Sequence, residues 1–188
     1  MVPQSIDPIP TEPHPPPQFL VGEMPAYLVV PQLQLYKQGA ADAAQAPPCH
    51  CVVEIPPLSI SEADPTIDLT VRWFVDYDVS VARSTNPVRQ ETLPGTFNDA
   101  TAIRRQIGKF DFDADALQIL SSGPHVLEVV VGEKDAAFND SPNVAEPNRT
   151  PTPGFTLAVY RFFINVKVEQ DPARPSCPSD LPSVRVCQ

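Results

Sequence analysis

Four cysteines offer the clearest chemistry in this 188-residue chain, and they stand in two clusters. Cys49 and Cys51 flank His50, whereas Cys177 and Cys187 belong to a later segment. An even number of cysteines beside proline-rich stretches is typical of disulfide bonds, which persist in oxidising compartments. A bond between Cys49 and Cys51 would close a small ring with poor geometry. We therefore predict two disulfides between the clusters, in either of the two possible pairings.

The same residues allow a second interpretation, a metal site built from Cys49, His50, Cys51 and a later cysteine. Zinc sites usually space their cysteines as C-x2-C or wider. In a strand, the middle residue of Cys-His-Cys also points away from its neighbours. Free thiols are the third alternative. Because disulfides fit the pattern best, we predict no bound metal, no cofactor and an extracytoplasmic location, in the periplasm, at the outer surface or secreted.

Carboxylates in the segment FDFDADA raise the question of calcium binding. Asp111, Asp113 and Asp115 alternate as in an EF-hand loop, but that loop needs Gly at its sixth position and Glu at its twelfth. Ala116 and Ser122 occupy those positions, so the EF-hand pattern fails. A calcium ion held between two loops stays an open alternative.

No residue pattern in the sequence predicts catalysis. His14, His50 and His125 are scattered along the chain, and no motif pairs a base with a nucleophile. We therefore predict that the protein is not an enzyme.

The composition argues against several classes of partner. The chain carries 13 basic and 23 acidic residues, a net charge of -10, whereas nucleic-acid and anionic-membrane binding both need clustered basic residues. No apolar run reaches the roughly 18 residues that a membrane span requires. Residues 1–18 form a proline-rich arm that we predict to be extended. Because the arm lacks the pattern of a secretory signal, a lipid or stalk anchor would lie upstream of residue 1.

Alternating apolar and polar residues predict a chain built mainly from β-strands. The strongest signal is Thr66–Ser80, where seven apolar residues including Trp73 alternate with largely polar ones, Phe74 being the exception. In the last strand we expect Leu157, Val159, Phe163 and Val166 or Val168 to face inward, and a change of phase around Phe162-Phe163 suggests a bulge. One short helix is predicted at Ala114–Leu120, capped by the preceding aspartate. The other predicted strands are Ala26–Val30, Gln32–Lys37, His50–Ile55, Ile103–Asp113, Pro124–Gly132 and Phe155–Gln170.

Two connections are longer than a hairpin requires, Ala82–Ala102 and Glu133–Gly154. Loops of about twenty residues are uncommon in compact domains and often carry function. Phe97 and Phe138 are aromatic residues within these polar loops, and we consider them candidate partner-binding residues. The alternative is that each ring packs back onto its own domain.

The strands, with no long helices between them, predict an antiparallel β-sandwich. VRWFVDYD resembles the third strand of immunoglobulin-like domains, which carries a core tryptophan. SSGPHVLEVVVGEKD and YRFFINVKVEQ resemble the last two strands of bacterial immunoglobulin-like and fibronectin type III-like modules. The resemblance implies an all-β immunoglobulin-like sandwich over residues 19–170, between the arm and a disulfide-tethered tail at 171–188. Leu127 and Val129 stand where antibody-type domains would carry a cysteine, so the intersheet disulfide of those domains is absent.

We predict a non-catalytic structural or interaction subunit of a cell-surface or envelope assembly, adhesin-like, with other protein subunits as partners. Binding would use the arm, the long loops or an exposed sheet edge. One alternative is a ligand-binding module for carbohydrate, which needs exposed aromatic rings, or for a metal ion between loops or at residues 49–51. Another is a redox or metal-handling protein built on that Cys-His-Cys segment.

Overall fold

The computed structural model describes residues 15–29, 32–38, 52–78, 86–96, 103–114, 116–119, 122–134, 137–139, 149–169 and 184–185. In these ranges the only helical segments are two short 3-10 turns, Val21–Glu23 and Ala26–Leu28. No helix among them is long and apolar enough to cross a membrane. The strands are β1 (Gln18–Phe19), β2 (Leu33–Gln38), β3 (Val52–Ile55), β4 (Leu58–Ser61), β5 (Leu69–Val75), β6 (Arg89–Leu93), β7 (Arg104–Ile107), β8 (Phe110–Asp113), β9 (Gly123–Glu133), β10 (Ala158–Glu169) and β11 (Val184–Arg185).

The first layer is a five-stranded sheet in the order β2-β10-β9-β5-β6. Its strand pairs are antiparallel except for β2, which runs parallel to the second half of β10. The core-facing residues of the two central strands alternate along the chain, as half-buried strands require. They are Leu69, Val71 and Trp73 on β5, and Leu127, Val129 and Val131 on β9.

The second layer contains two three-stranded sheets, β1-β4-β7 and β11-β3-β8. The pair of β4 and β7 continues the pair of β3 and β8 beyond a short break. Ile55 lies opposite Phe110, and Leu58 lies opposite Ile107, so the register is the same on both sides of the break. The break falls at Pro56-Pro57, because proline has no N–H for the ladder. All four flanking residues are buried. Because of the break, residues three positions apart, such as Ile55 and Leu58, face the same core.

Trp73 lies at the centre of the core between the layers. Its side chain is fully buried, and its ring stacks on that of Phe110 with 4.6 Å between centroids. This strand order and the tryptophan on the third long strand are those of an immunoglobulin-like sandwich. The predicted fold class is confirmed, with the parallel pairing of β2 as an addition.

The structure corrects the predicted phase of the last strand. Pairing between β9 and β10 keeps one register over Ala158–Val166, so no bulge occurs there. Phe162 faces the core, whereas Val159 and Phe163 lie on the outer face. The sequence misled because both faces of this strand carry apolar side chains.

Three further predictions were wrong. Asp113 does cap a turn, since its Oδ1 accepts a hydrogen bond from the backbone of Ala116, but Gln118 has φ +57 and the described residues after Asp113 form no helix. The predicted loop Ala82–Ala102 contains β6, a polar edge strand whose pattern has too few apolar residues to be recognised. The predicted strand Ala26–Val30 begins as a 3-10 turn.

Candidate interaction surface

The first half of β10 lies at an edge of the five-stranded sheet. β2 pairs with β10 only from Ile164 onward. Val126 donates its N–H to the side chain of Asp76, and its carbonyl accepts a hydrogen bond from the backbone N–H of Asp76. The backbone groups of Val126 therefore point toward β5. Because backbone groups alternate in an antiparallel ladder, the register between β9 and β10 directs the N–H and C=O groups of Val159 and Arg161 away from β9. No described backbone hydrogen bond reaches these four groups.

The opposite edge of this sheet, along β6, carries charged side chains. Glu91 on β6 accepts a hydrogen bond from the N–H of Gly108 at 3.3 Å. It also forms an ion pair with Arg89 at 3.3 Å. Arg89 also donates to the carbonyl of Lys109. These side chains connect β6 to the break in the second layer, and charged groups of this kind protect a strand edge from pairing. Among the described residues, the unprotected edge is therefore the first half of β10.

A loop covers the outer face of the same sheet near its centre. Phe138 is buried against Phe74 and Val130, outside the main core. The chain passes so close to Gly132 that an added Cβ would lie 2.7 Å from the Cβ of Ala137. This loop explains why Phe74 stands on the predicted polar face of its strand. The face of β5 that carries Phe74 is therefore buried, whereas the sequence pattern predicted a largely polar face.

Arginines and one carboxylate hold this cover in place. Glu128 is buried, and its Oε1 accepts from the Nε of Arg161 at 2.6 Å and from Arg149 at 3.1 Å. Arg149 also lies over the ring of Tyr77, at 4.5 Å from its centroid. Arg72 lies over the ring of Phe138 at 4.2 Å. Cation–π contacts of this kind stabilise partly desolvated arginines.

Beside the covered region, three outward side chains of β10 remain accessible. We call Val159, Arg161 and Phe163 the outer strip. Val159 is 39% exposed and Phe163 is 50% exposed, while the side chain of Arg161 is also half exposed. Exposed aromatic residues and arginines are enriched in protein interfaces. The free edge and the outer strip together make β10 the candidate interaction surface.

A polar cluster ties the loops together at the end of the sandwich where β4 and β9 finish. Arg105 is buried and donates to the carbonyls of Pro65 at 2.8 Å and of Leu93 at 3.3 Å. Glu62 is only 2% exposed, and its Oε2 has no hydrogen-bond partner in the described part of the chain. Burial raises the pKa of this carboxyl. Asp68 differs, because the N–H of Gly95, at 2.7 Å, and then Lys134 lower its pKa.

These two carboxyls predict opposite effects of pH on stability. We expect Glu62→Gln to raise the free energy of unfolding at pH 7, because the raised pKa of Glu62 makes its charged form unfavourable in the folded state. The benefit vanishes below the unfolded pKa of about 4.3, where wild-type Glu62 is protonated in both states. Urea unfolding at a series of pH values measures this. Equal stability of the variant and the wild type at pH 7 would contradict the prediction.

Asp68→Asn is the matched control with the opposite sign. The lowered pKa of Asp68 means that its charged form contributes stability above its unfolded pKa, and this contribution disappears as pH falls through the folded pKa. The variant should therefore be less stable than the wild type at pH 7 and equal to it in strong acid.

At the other end of the sandwich, Asp76 immediately follows β5 and has a φ of +48. Its Oδ1 accepts from the N–H of Val126 at 2.8 Å, and its Oδ2 lies 2.6 Å from Nδ1 of His125. The Nε2 of His125 is buried without a hydrogen-bond partner among the described residues. The pair extends the β5–β9 ladder and orients the imidazole ring, so these contacts indicate a structural role for His125.

The predicted site residues have different outcomes. Phe138 is buried and is therefore not accessible to a partner. Phe74 is also buried, so neither ring is available as an exposed aromatic ring for carbohydrate binding. Within the ranges that the structure covers, no group of three or more His, Cys, Asp or Glu side chains is placed to hold a metal ion. The predicted residues Phe97, Cys49, Cys51, Cys177 and Cys187 lie outside the described residues.

Comparison with known proteins identifies no family. No family model matches the chain, and no curated protein matches it. Among solved structures, the chain is similar to the periplasmic chaperone SfaE, with 10% sequence identity and a TM-score of 0.30. The match covers 77% of this chain and 57% of that chaperone, so the chain spans less than two thirds of it. The fold assignment rests on the strand order of the protein itself.

Proposed function

We propose that this protein is a non-catalytic interaction subunit of an extracytoplasmic assembly and that it binds a partner by strand addition along the first half of β10. The observation that carries the proposal is the free edge at Val159 and Arg161, whose four backbone groups point away from β9. In strand addition, backbone hydrogen bonds supply affinity and neighbouring side chains supply specificity.

The rest of the sheet supports this choice of edge. Charged side chains of β6 protect the opposite edge, and β2 pairs with the second half of β10. Natural proteins usually protect their edges from pairing. A stretch of strand edge with unpaired backbone groups is therefore better suited to a partner strand than to bulk water.

A proline at position 159 tests the proposal. Val159→Pro removes one edge N–H without removing a bond between β9 and β10, because the N–H of this residue faces away from β9. Val159→Ala is the matched control, since it shortens the side chain but keeps the N–H. The full chain, as wild type and both variants, is purified under mild conditions from the native source after circular dichroism has shown equal folding.

The wild type and Val159→Ala should co-purify with the same larger assembly. The amount of assembly that co-purifies with Val159→Pro should be at least about tenfold lower, the equivalent of about 1.4 kcal/mol. Recovery of all three as free chains, or equal recovery of the assembly with Val159→Pro, would refute strand addition at this edge.

The extracytoplasmic location rests on the predicted disulfides, which a digest without reductant tests. β11 pairs with β3, with Arg185 opposite Val52, so the later segment is held beside the residue that follows Cys51 in the sequence. Each closed loop of this length is expected to contribute about 2–5 kcal/mol. Trypsin would place the cysteines in three peptides, 38–72, 168–185 and 186–188.

We expect these three peptides to be linked in one species before reduction and separate after it. Free thiols are alkylated before digestion to prevent exchange. Separate peptides in the absence of reductant would exclude the predicted bonds and remove the argument for an oxidising compartment.

A further inference from the structure

We propose that residues 1–14, the part of the proline-rich arm before Pro15, dock on the outer strip of the same chain, across Val159, Arg161 and Phe163. This inference does not rest on the proposed function, because strand addition uses the backbone edge of β10, whereas the arm would contact its outward side chains. The two predictions can therefore fail separately.

The outer strip has the chemistry that proline-rich segments recognise. Phe163 and Val159 are exposed on the same face of β10, two positions on either side of Arg161. Proline-rich segments in the polyproline II conformation bind exposed aromatic side chains, and they lose little entropy because the conformation is already formed. The first 14 residues contain Pro3, Pro8, Pro10 and Pro13.

The charges of the two surfaces are complementary. Among the described residues, Arg149 and Arg161 both bind one oxygen of a single carboxylate, Glu128, which leaves an excess positive charge beside the outer strip. The described contacts of Arg161 use only its Nε, so its terminal nitrogens are open to another acceptor. Residues 1–14 contain Asp7 and Glu12 and no lysine or arginine. Carboxylates are the acceptors that a guanidinium group binds best.

The attachment of the arm places it close enough to reach this strip. The arm enters the fold at β1, and the ring of Phe19 lies 5.6 Å from that of Tyr160 on β10. Fourteen residues of polyproline II span about 43 Å at 3.1 Å per residue. The outer strip, which spans five residues of β10, measures about 14 Å. The segment is therefore long enough to reach the outer face of the sheet and cover the strip.

A photo-cross-linking residue in the full chain tests this contact. p-Benzoylphenylalanine replaces Phe163, a position where half the side chain is exposed and substitution should not disturb folding. A second full chain carries the same residue in place of Val88, which is 46% exposed and immediately precedes β6. After irradiation, cleavage after Glu23 releases peptide 1–23, and fragmentation of this peptide in the mass spectrometer shows whether the link lies in residues 1–14 or in the residues nearest β1.

We expect the probe at position 163, but not at position 88, to link to residues 1–14 in a species with the mass of one chain. Asp7→Asn combined with Glu12→Gln should reduce the yield about threefold, as should 0.5 M salt. Linkage to residues 1–14 of a second chain would overturn the proposal in favour of an exchanged arm. Absence of any link to residues 1–14, or equal yields from both probes, would also overturn it.

Discussion

Trp73→Ala should cost about 3–5 kcal/mol of folding free energy, because it removes the largest side chain of the core and leaves a cavity. Trp73 is fully buried and stacks on Phe110, so the loss affects both layers of the sandwich. Urea unfolding followed by circular dichroism measures the change. Fluorescence does not serve here, because the chain contains a single tryptophan.

Trp73→Phe is the matched control. It keeps an aromatic ring in the stack and removes the indole N–H, which is buried without a hydrogen-bond partner among the described residues. A buried donor without a partner is unfavourable, so this variant should lose only about 1–2 kcal/mol. If both variants lost the same free energy, the stack on Phe110 would not be the feature that stabilises the core.

Arg105→Ala should be comparably destabilising, by about 3–5 kcal/mol, although the residue is charged. Its guanidinium donates to carbonyls in the loop after β4 and at the end of β6, and those acceptors would be left buried without donors. The variant would also leave the buried carboxyl of Glu62 without the positive charge that lowers its pKa. Thermal and urea unfolding at pH 7 measure the loss.

Two comparisons make this prediction specific. Arg104→Ala changes the preceding residue, whose exposed side chain pairs with Glu23 at the surface, and should cost about 0.5 kcal/mol or less. Adding Glu62→Gln to Arg105→Ala should restore part of the lost stability, because it removes the uncompensated carboxylate. A double variant less stable than Arg105→Ala would show that the two side chains do not interact as the structure indicates.

Much of the fold could be predicted from local sequence patterns, whereas the surface proposed for binding could not. The alternation around Trp73 predicted β5, because the period of a strand is set by its own residues. In β10 the same method placed Val159 and Phe163 inside, because an apolar side chain does not reveal which face it occupies. Polar residues in β6 concealed an edge strand, since an edge strand buries little.

The sequence by itself determined the all-β class, the central tryptophan and the positions of the main strands, because these depend on side-chain patterns within short segments. The tertiary structure alone decided three other features. They are the cover that Phe138 forms over Phe74, the contacts of Arg105 with distant carbonyls, and the free edge at Val159 and Arg161. Each of these depends on which segments meet after folding, and residues 12 to 64 positions apart leave no local pattern that records such a contact.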